Sequence, residues 1–177
     1  MELRDVLQAR RSYRASFGAR KVTHDEMRYI LNAAYTAPSG CNLQTARMVA
    51  VLDPHTLTAL GEIVGHSWVK TATAALVMTT KPLAIEGRGP SRNKEDFGAA
   101  AQNVLLAVTD LGLATTWIQG QIENEKADKI AALLEIPEDY SVVGYFPIGE
   151  PTREVKAPNK LAFEERCFID RFGQAFE

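Results

Sequence analysis

The chain has 177 residues, 46% hydrophobic and 24% charged, which predicts a single domain over residues 1–177 and excludes disordered, collagen-like and membrane proteins. Its formal net charge of −2 offers no global field that would attract nucleic acid or an anionic membrane. Two cysteines, three histidines without zinc-site spacing and a charged amino terminus predict a cytoplasmic protein with neither a disulfide framework nor a metal site.

Predicted helices and strands alternate along the chain. A capping box of Thr23 and Glu26 opens the most clearly marked helix, and Asp53 followed by Pro54 opens another. Apolar periodicity and turn signals predict helices over 2–10, 23–38, 53–64, 96–111 and 125–134, strands over 48–52, 74–79, 113–118 and 142–148, a surface loop over 81–95, and a short helix around 163–172. The sequence lacks the glycine signatures of Rossmann dehydrogenases, P-loop NTPases and α/β-hydrolases, which argues against those folds.

The helix predicted over 96–111 is apolar or small on every side, and Gly112 ends it. A helix without a polar face must be covered on all sides. In a domain of this size, we expect the second cover to come from another subunit.

Positive charge is concentrated near the start of the chain. Arg10 and Arg14 stand four residues apart, with Arg11 and Ser12 between them. Guanidinium groups bind phosphate oxygens bidentately and a serine hydroxyl can complete the shell, so the cluster suits a small molecule that bears a phosphate. The alternative is a solvated basic helix end that interacts with the helix dipole.

Residues 37–44 form a polar loop with the sequence Ala-Pro-Ser-Gly-Cys-Asn-Leu-Gln. Such a loop exposes backbone N–H groups and short polar side chains, which suit hydrogen bonds to a planar heteroaromatic ligand. The alternative is a plain loop that ends a helix. Because no histidine or basic residue is close to Cys41 in sequence, a packed or exposed thiol is favoured over a nucleophile.

A third pattern joins the helix over 96–111 to the strand over 113–118, which runs into Gln119 and Gly120. A buried helix, a glycine turn and this strand end can place backbone groups at the end of a sheet. For Trp117 the competing interpretation is core packing.

Five motifs, taken in this order, resemble the nitroreductase family of flavin enzymes. They are Arg-Arg-Ser-x-Arg at 10–14, Ala-Pro-Ser-Gly-x-Asn-x-Gln at 37–44, Asp-Phe-Gly-Ala-Ala-Ala-Gln-Asn at 96–103, Leu-Gly-Leu-Ala-Thr-Thr-Trp-Ile at 111–118, and Gly-Glu-Pro ending at Pro151. The resemblance covers nearly the whole chain. It implies an α+β fold with a central, mostly antiparallel sheet wrapped by helices, in an obligate homodimer with two FMN molecules at the interface.

The resemblance also implies which residues bind FMN. Arg10, Arg11 and Ser12 would hold the phosphate and the ribityl chain, and Arg14 would approach the pyrimidine edge of the flavin ring. The other subunit would complete the pocket with its polar loop, through Pro38, Ser39, Gly40 and Asn42.

Two further matches and two departures concern the rest of the pocket. Gln119 and Gly120 would face the flavin near its reactive N5, and Lys160 falls where the family often has a phosphate-binding cation. Many members have Pro-Trp where this chain has Thr45 and Ala46, and Glu is common in place of Gln119. These departures concern the space above the ring, so they affect the substrate more than the cofactor.

The implied function is an FMN-dependent oxidoreductase. It would take a hydride from NADH or NADPH onto flavin N5 and pass electrons to a small organic acceptor, nitroaromatic or quinone-like, by a ping-pong mechanism. No catalytic side chain is assigned, because the flavin carries the chemistry. The alternatives are a flavoprotein of the same fold that performs dehalogenation or flavin cleavage, and a flavin-binding protein without turnover.

Overall fold

The helices and strands of the computed structural model, which describes residues 1–87 and 89–176, follow the predicted alternation. The helices are α1 (Leu3–Ala9), α2 (His24–Tyr35), α3 (Pro54–Val64), α4 (Asn93–Asp110) and α5 (Glu125–Leu133). The strands are β1 (Ala46–Val51), β2 (Ala74–Thr80), β3 (Ala84–Ile85), β4 (Gly89–Pro90), β5 (Ala114–Thr115) and β6 (Ser141–Gly149). Single 3₁₀ turns cover Gly40–Asn42, Val69–Thr71 and Phe163–Glu165. In this described part of the chain, no helix combines the length and hydropathy that crossing a bilayer requires.

A four-stranded antiparallel sheet in the order β1-β2-β6-β5 forms the centre of the fold. Every residue of β2 is buried, so helices cover both of its faces. Because side chains alternate across a strand, Leu76 and Met78 pack with α2 and α4, while Ala75 and Val77 pack with α3 and α5. This arrangement confirms the predicted α+β fold, a mostly antiparallel sheet wrapped by helices.

Side-chain hydrogen bonds confirm the predicted helix starts. At the start of α2, Glu26 N donates to Thr23 Oγ1 at 3.2 Å and Thr23 N donates to the Glu26 carboxylate at 2.8 Å. At the start of α3, Thr56 N donates to the Asp53 carboxylate at 2.8 Å. Each such cap stabilises its helix by about 1 kcal/mol, so local sequence sets both helix starts.

The strand predicted over 113–118 is shorter in the structure. Beyond β5, pairing with β6 resumes only at Ile118, which bonds with Tyr145 in both directions. In this register Thr116 lies opposite Pro147, which has no N–H to donate. The ladder is interrupted there for that reason.

The region before and within α4 also differs from the prediction. The loop over 81–95 contains the β3–β4 hairpin, and α4 begins at Asn93 rather than at 96. Glu95 and Asp96 lie in its first turn, where acidic side chains complement the positive end of the helix dipole. These acids extend the helix toward its amino end.

The helix predicted around 163–172 is only a single 3₁₀ turn, Phe163–Glu165. Leu161, Phe163 and Phe172 are each more than half exposed. In proteins, most helix stability comes from packing an apolar face, and this part of the chain packs little of its apolar surface.

The chain itself covers most of α4, and the further cover expected from another subunit stays a prediction. α4 contacts α1, α2, β1 and β2. Its buried apolar residues are Phe97, Ala100, Ala101, Val104, Leu105, Ala107 and Val108. Gly98, Ala99, Gln102 and Leu106 form a stripe that stays partly or fully exposed. This stripe is where the predicted second subunit would cover the helix.

Candidate functional site

The arginine-rich segment, residues 10–14, lies beside β5. Tyr13 N donates a 2.9 Å hydrogen bond to the carbonyl of Thr115, and Tyr13 is only 3% exposed. Arg14, by contrast, is exposed and Ser12 is half-buried. Neighbouring side chains of an extended segment point to opposite sides, so Ser12 and Arg14 face away from the core that holds Tyr13.

Arg11 makes the contacts of a helix-end cation. Its guanidinium donates to the carbonyl of Gln8 and, at 2.9 Å, to that of Arg10. Both carbonyls lie at the C-terminal end of α1, where a cation complements the helix dipole. Arg10 is half-buried and Arg14 is exposed, so solvent and an anionic ligand can reach both side chains. A phosphate contact for Arg11 stays a prediction.

A cavity of about 590 Å³ lies between the arginine-rich segment, the end of α4, β5 and the residues that follow β6. Arg11 and Tyr13 are among its lining residues, and so is Thr115. The buried Oγ1 of Thr115 has no hydrogen-bond partner among the described residues. A buried hydroxyl without a partner is costly, so a polar ligand group would be favourable at this position.

The polar loop, residues 37–44, lies in a different place. Pro38 and Ser39 line a cavity of about 350 Å³ between α2, β1 and α4. Beyond them, Gly40 and Asn42 belong to the 3₁₀ turn that contains the exposed Cys41. The loop therefore presents polar groups and a thiol at the surface of this chain.

Gln119 and Gly120 follow the point where Ile118 pairs with β6. Gln119 lines a third cavity of about 280 Å³, together with Phe97 and Trp117. A Cβ at Gly120 would meet no atom within 4 Å, so space is open around this strand end. Open space beside a fixed strand end suits the approach of a flat ligand.

Trp117 matches the core-packing interpretation. Its ring meets Phe97 edge-on, with centroids 5.0 Å apart, and Phe146 at 6.0 Å. Its Nε1 is buried and, in the described residues, has no hydrogen-bond partner. Trp117 therefore packs as a core residue beside the Gln119 cavity.

Lys160 lies on the exposed segment after β6. It lines a cavity of about 370 Å³ with Phe163, Arg166 and Cys167, and none of these is a predicted site residue. The cavities beside the arginine-rich segment, the polar loop, Gln119 and Lys160 have no lining residue in common. Among the predicted site residues, those that line these cavities, Arg11, Pro38, Ser39, Gln119 and Lys160, are thus divided among four separate cavities of a single chain.

Sequence reasoning missed two residues that hold the polar loop, Asp96 and Thr45. Asp96 is 5% exposed and Thr45 is 3% exposed. The Asp96 carboxylate accepts bonds from Gly40 N and Thr45 Oγ1, each 2.7 Å long. A usable signal was present, since an acid beside buried Phe97 on an apolar helix needs donors nearby.

The sequence model of the nitroreductase family matches residues 7–87 and 64–150. An Archaeoglobus fulgidus protein with the provisional name NADH dehydrogenase/NAD(P)H nitroreductase is 29% identical over 150 residues, covering 84% of this chain and 85% of that protein. An NADPH-flavin oxidoreductase of Vibrio harveyi is 27% identical over 168 residues, covering 89% of this chain and 69% of the relative.

Solved structures agree with the sequence comparisons. An FMN-dependent nitroreductase from Clostridium difficile superposes with a TM-score of 0.77 at 28% identity, covering 94% of this chain and 98% of that one. NfrA2 of B. megaterium has the same fold, with a TM-score of 0.81 at 22% identity over 97% of this chain and 75% of that one. The chain belongs to the nitroreductase family.

Proposed function

We propose that this chain is an FMN-dependent NAD(P)H oxidoreductase that works as a homodimer with its cofactor between two copies. One observation carries the proposal: the chain matches an FMN-dependent nitroreductase over 94% of its length with a TM-score of 0.77. In one chain, the arginine-rich segment and the polar loop line different cavities. One FMN molecule would touch both regions if a second copy brought its polar loop to the arginines of the first copy. The separate cavities therefore support a binding site shared by two copies.

The donor groups of this chain fit FMN. The cofactor carries a phosphate, a polyhydroxyl chain and a planar ring. Arg10 and Ser12 offer cationic and hydroxyl donors for the first two, with Arg11 and Lys160 as further cations. The unpartnered Thr115 hydroxyl marks a buried position beside this segment where a polar group is needed.

When bound, the flavin supplies the chemistry of hydride acceptance from NADH or NADPH and of electron delivery to an acceptor. The side chains supply position and charge. Arg14, exposed on the outward side of its segment, would place a cation at the pyrimidine edge, where a cation favours developing negative charge. Pro38, Ser39, Gly40 and Asn42 of the second copy would cover one side of the ring.

The open space around Gly120 supports a single binding place used by both substrates in turn. The nicotinamide would bind there first and leave, and the acceptor would then take the same place, which gives ping-pong kinetics. We propose a small organic acceptor, nitroaromatic or quinone-like. We also propose a cytoplasmic enzyme without nucleic-acid or membrane partners, consistent with a net charge of −2.

The experiment is the anaerobic reduction of purified protein. We expect a yellow protein that elutes as a dimer and loses its absorbance near about 450 nm, a property of flavin itself, when NADH or NADPH is added. Comparison of both nicotinamides by stopped flow gives the preferred donor. A colourless protein that fails to take up FMN contradicts the proposal, and a yellow protein that neither nicotinamide bleaches is a binding protein without turnover.

A further inference from the structure

Asp96 is a buried carboxylate whose oxygens bind Gly40, in the middle of the polar loop, and Thr45, directly after the loop. Its Oδ1 accepts a 2.7 Å bond from Gly40 N, and its Oδ2 accepts a 2.7 Å bond from Thr45 Oγ1. Hydrogen bonds to an ionised acceptor are roughly twice as strong as bonds between neutral groups. These two contacts therefore tie the loop to the first turn of α4.

The loop backbone between these anchors is strained. Cys41, Asn42 and Gln44 have φ angles of 52°, 55° and 50°, in the left-handed region that disfavours side chains. Gln44 N donates to Ser39 Oγ at 2.9 Å, which closes the loop on itself. Such a conformation persists only where surrounding contacts over-determine it, and Asp96 provides two of those contacts.

Asp96 is itself held on a rigid element. It follows Glu95 in the first turn of α4, and both the adjacent Phe97 and Ala100, one turn further along, are buried in the core. A carboxylate near the amino end of a helix is favoured by the helix dipole. The α4 helix therefore fixes the carboxylate, and the carboxylate fixes the loop.

Little space separates the Gly40 backbone from the start of α4. A Cβ on Gly40 would lie 3.2 Å from Arg92 Cβ and 3.7 Å from Asp96 Oδ1. The loop backbone thus approaches the start of α4 closely enough for its amide to reach the carboxylate. A side chain at position 40 would crowd Arg92 at the start of α4.

We propose that Asp96 is a positioning residue: it holds the polar loop in the shape that presents Pro38, Ser39, Gly40 and Asn42 to the cofactor. The identity of the cofactor rests on the proposed function. A loop that is already ordered does not lose its freedom when the ligand binds, so affinity is gained. Thr45 acts through Asp96 in the same way, as its second anchor.

The first test is a titration of FMN-free protein with FMN, followed by quenching of flavin fluorescence. The variants are Asp96→Ala, Thr45→Val, Thr45→Ser and, as the matched control, Glu95→Gln, whose side chain is exposed one residue away. We expect Asp96→Ala to raise the Kd for FMN about tenfold or more, and Thr45→Val about threefold to tenfold. Thr45→Ser keeps the hydroxyl and should stay, like Glu95→Gln, within about twofold of wild type.

Equal Kd values for wild type and Thr45→Val, or equal losses for Thr45→Val and Thr45→Ser, would overturn the proposal. The Thr45 pair decides the matter even if Asp96→Ala does not fold. Rescue by serine separates a hydrogen bond from mere packing, because valine matches the shape of threonine more closely than serine does.

The second test measures amide hydrogen exchange in FMN-free protein, so it does not depend on cofactor identity. In Asp96→Ala, or in Thr45→Val if the alanine variant does not fold, we expect faster exchange at the Gly40 amide and its neighbours, and no change in Glu95→Gln. Unchanged exchange at Gly40 overturns the proposal. Wild-type protein that binds no FMN defeats the proposed function instead, and the exchange at Gly40 still decides whether Asp96 holds the loop.

Discussion

The arginine-rich segment and the polar loop are both expected to contact the cofactor, yet the fold holds them by different means. A backbone hydrogen bond from Tyr13 to β5 and a buried aromatic ring fix the arginine-rich segment. Side-chain contacts with Asp96 and Ser39 fix the polar loop. The first segment shows alternating burial, and the second contains left-handed residues.

This difference determines how the two regions of the proposed site respond to mutation. A segment bonded alongside a sheet is held in part by its backbone, which suits cations that must meet a phosphate at a fixed distance. The strained loop keeps its shape only while its few side-chain contacts hold it. Changes in the arginine-rich segment should therefore alter affinity directly, while changes around the loop should alter it through the loop's shape.

The largest expected effect tests whether the two regions meet across two copies. The Arg10→Ala/Arg14→Ala variant and the Gly40→Val variant should each lose FMN binding as homodimers, because each removes one half of every site. Refolding an equal mixture gives mixed dimers in which one site carries both defects and the other carries none. We expect about a quarter of all sites to regain FMN, measured by flavin absorbance after gel filtration.

The control for this experiment is a mixture of each variant with itself, which should regain nothing. If both regions contacted the same FMN from one chain, every site in a mixed dimer would carry a defect. Failure of the mixture to bind FMN, with mixed dimers shown to be present by mass spectrometry, would contradict the shared site.

The next largest effect distinguishes the roles of Arg10 and Arg11, two neighbours in the arginine-rich segment. Arg10→Ala should raise the Kd for FMN about tenfold or more if its guanidinium holds the phosphate. Arg11→Ala should instead lower the free energy of unfolding by about 0.5–1 kcal/mol, because its guanidinium caps the C-terminal end of α1. FMN titration and urea unfolding of both variants measure the two effects. A larger rise in Kd for Arg11→Ala than for Arg10→Ala would show that Arg11, and not Arg10, is the main contact of the FMN phosphate.

Helix starts and buried strands were the features best predicted from sequence, and physical reasons explain why. Helix caps such as Thr23 and Asp53 act within a few residues, so their patterns predict helix starts reliably. Apolar runs predict strands that are buried on both faces, such as β2. The break in pairing at Thr116 depends on Pro147, which lies far along the chain. Patterns among neighbouring residues therefore could not predict this break.

The anchors of the loop escaped sequence reasoning because they join distant positions. Asp96 lies more than fifty residues beyond Gly40 and Thr45, and no local pattern relates them. The share of α4 that the chain itself covers lay beyond sequence reasoning for a similar reason. Periodicity showed that the helix needs contacts on all sides, but it could not show that α1, α2 and the sheet of the same chain supply most of them.

The smallest expected effect on FMN binding concerns the hydrogen bonds of the Tyr13 hydroxyl in the arginine-rich segment. The Tyr13 hydroxyl donates to Ser16 O at 2.8 Å and accepts from Thr152 N at 2.9 Å. Tyr13→Phe should therefore lower the free energy of unfolding by about 1 kcal/mol. It should leave the Kd for FMN within about twofold of wild type, because the ring and the backbone bond to β5 remain. Urea unfolding and FMN titration measure both quantities, with Tyr35→Phe as the control, since Tyr35 is 76% exposed.

Thr45→Val removes a side-chain hydroxyl of comparable burial but is expected to weaken FMN binding, because no backbone ladder holds the polar loop in its place. Tyr13→Phe and Thr45→Val thus test, in the arginine-rich segment and in the polar loop, whether FMN affinity depends on one side-chain hydroxyl. If Tyr13→Phe raised the Kd for FMN as much as Thr45→Val, the arginine-rich segment would depend on side-chain anchors as the polar loop does. That result would contradict the proposed contrast between a segment held by its backbone and a loop held by side chains.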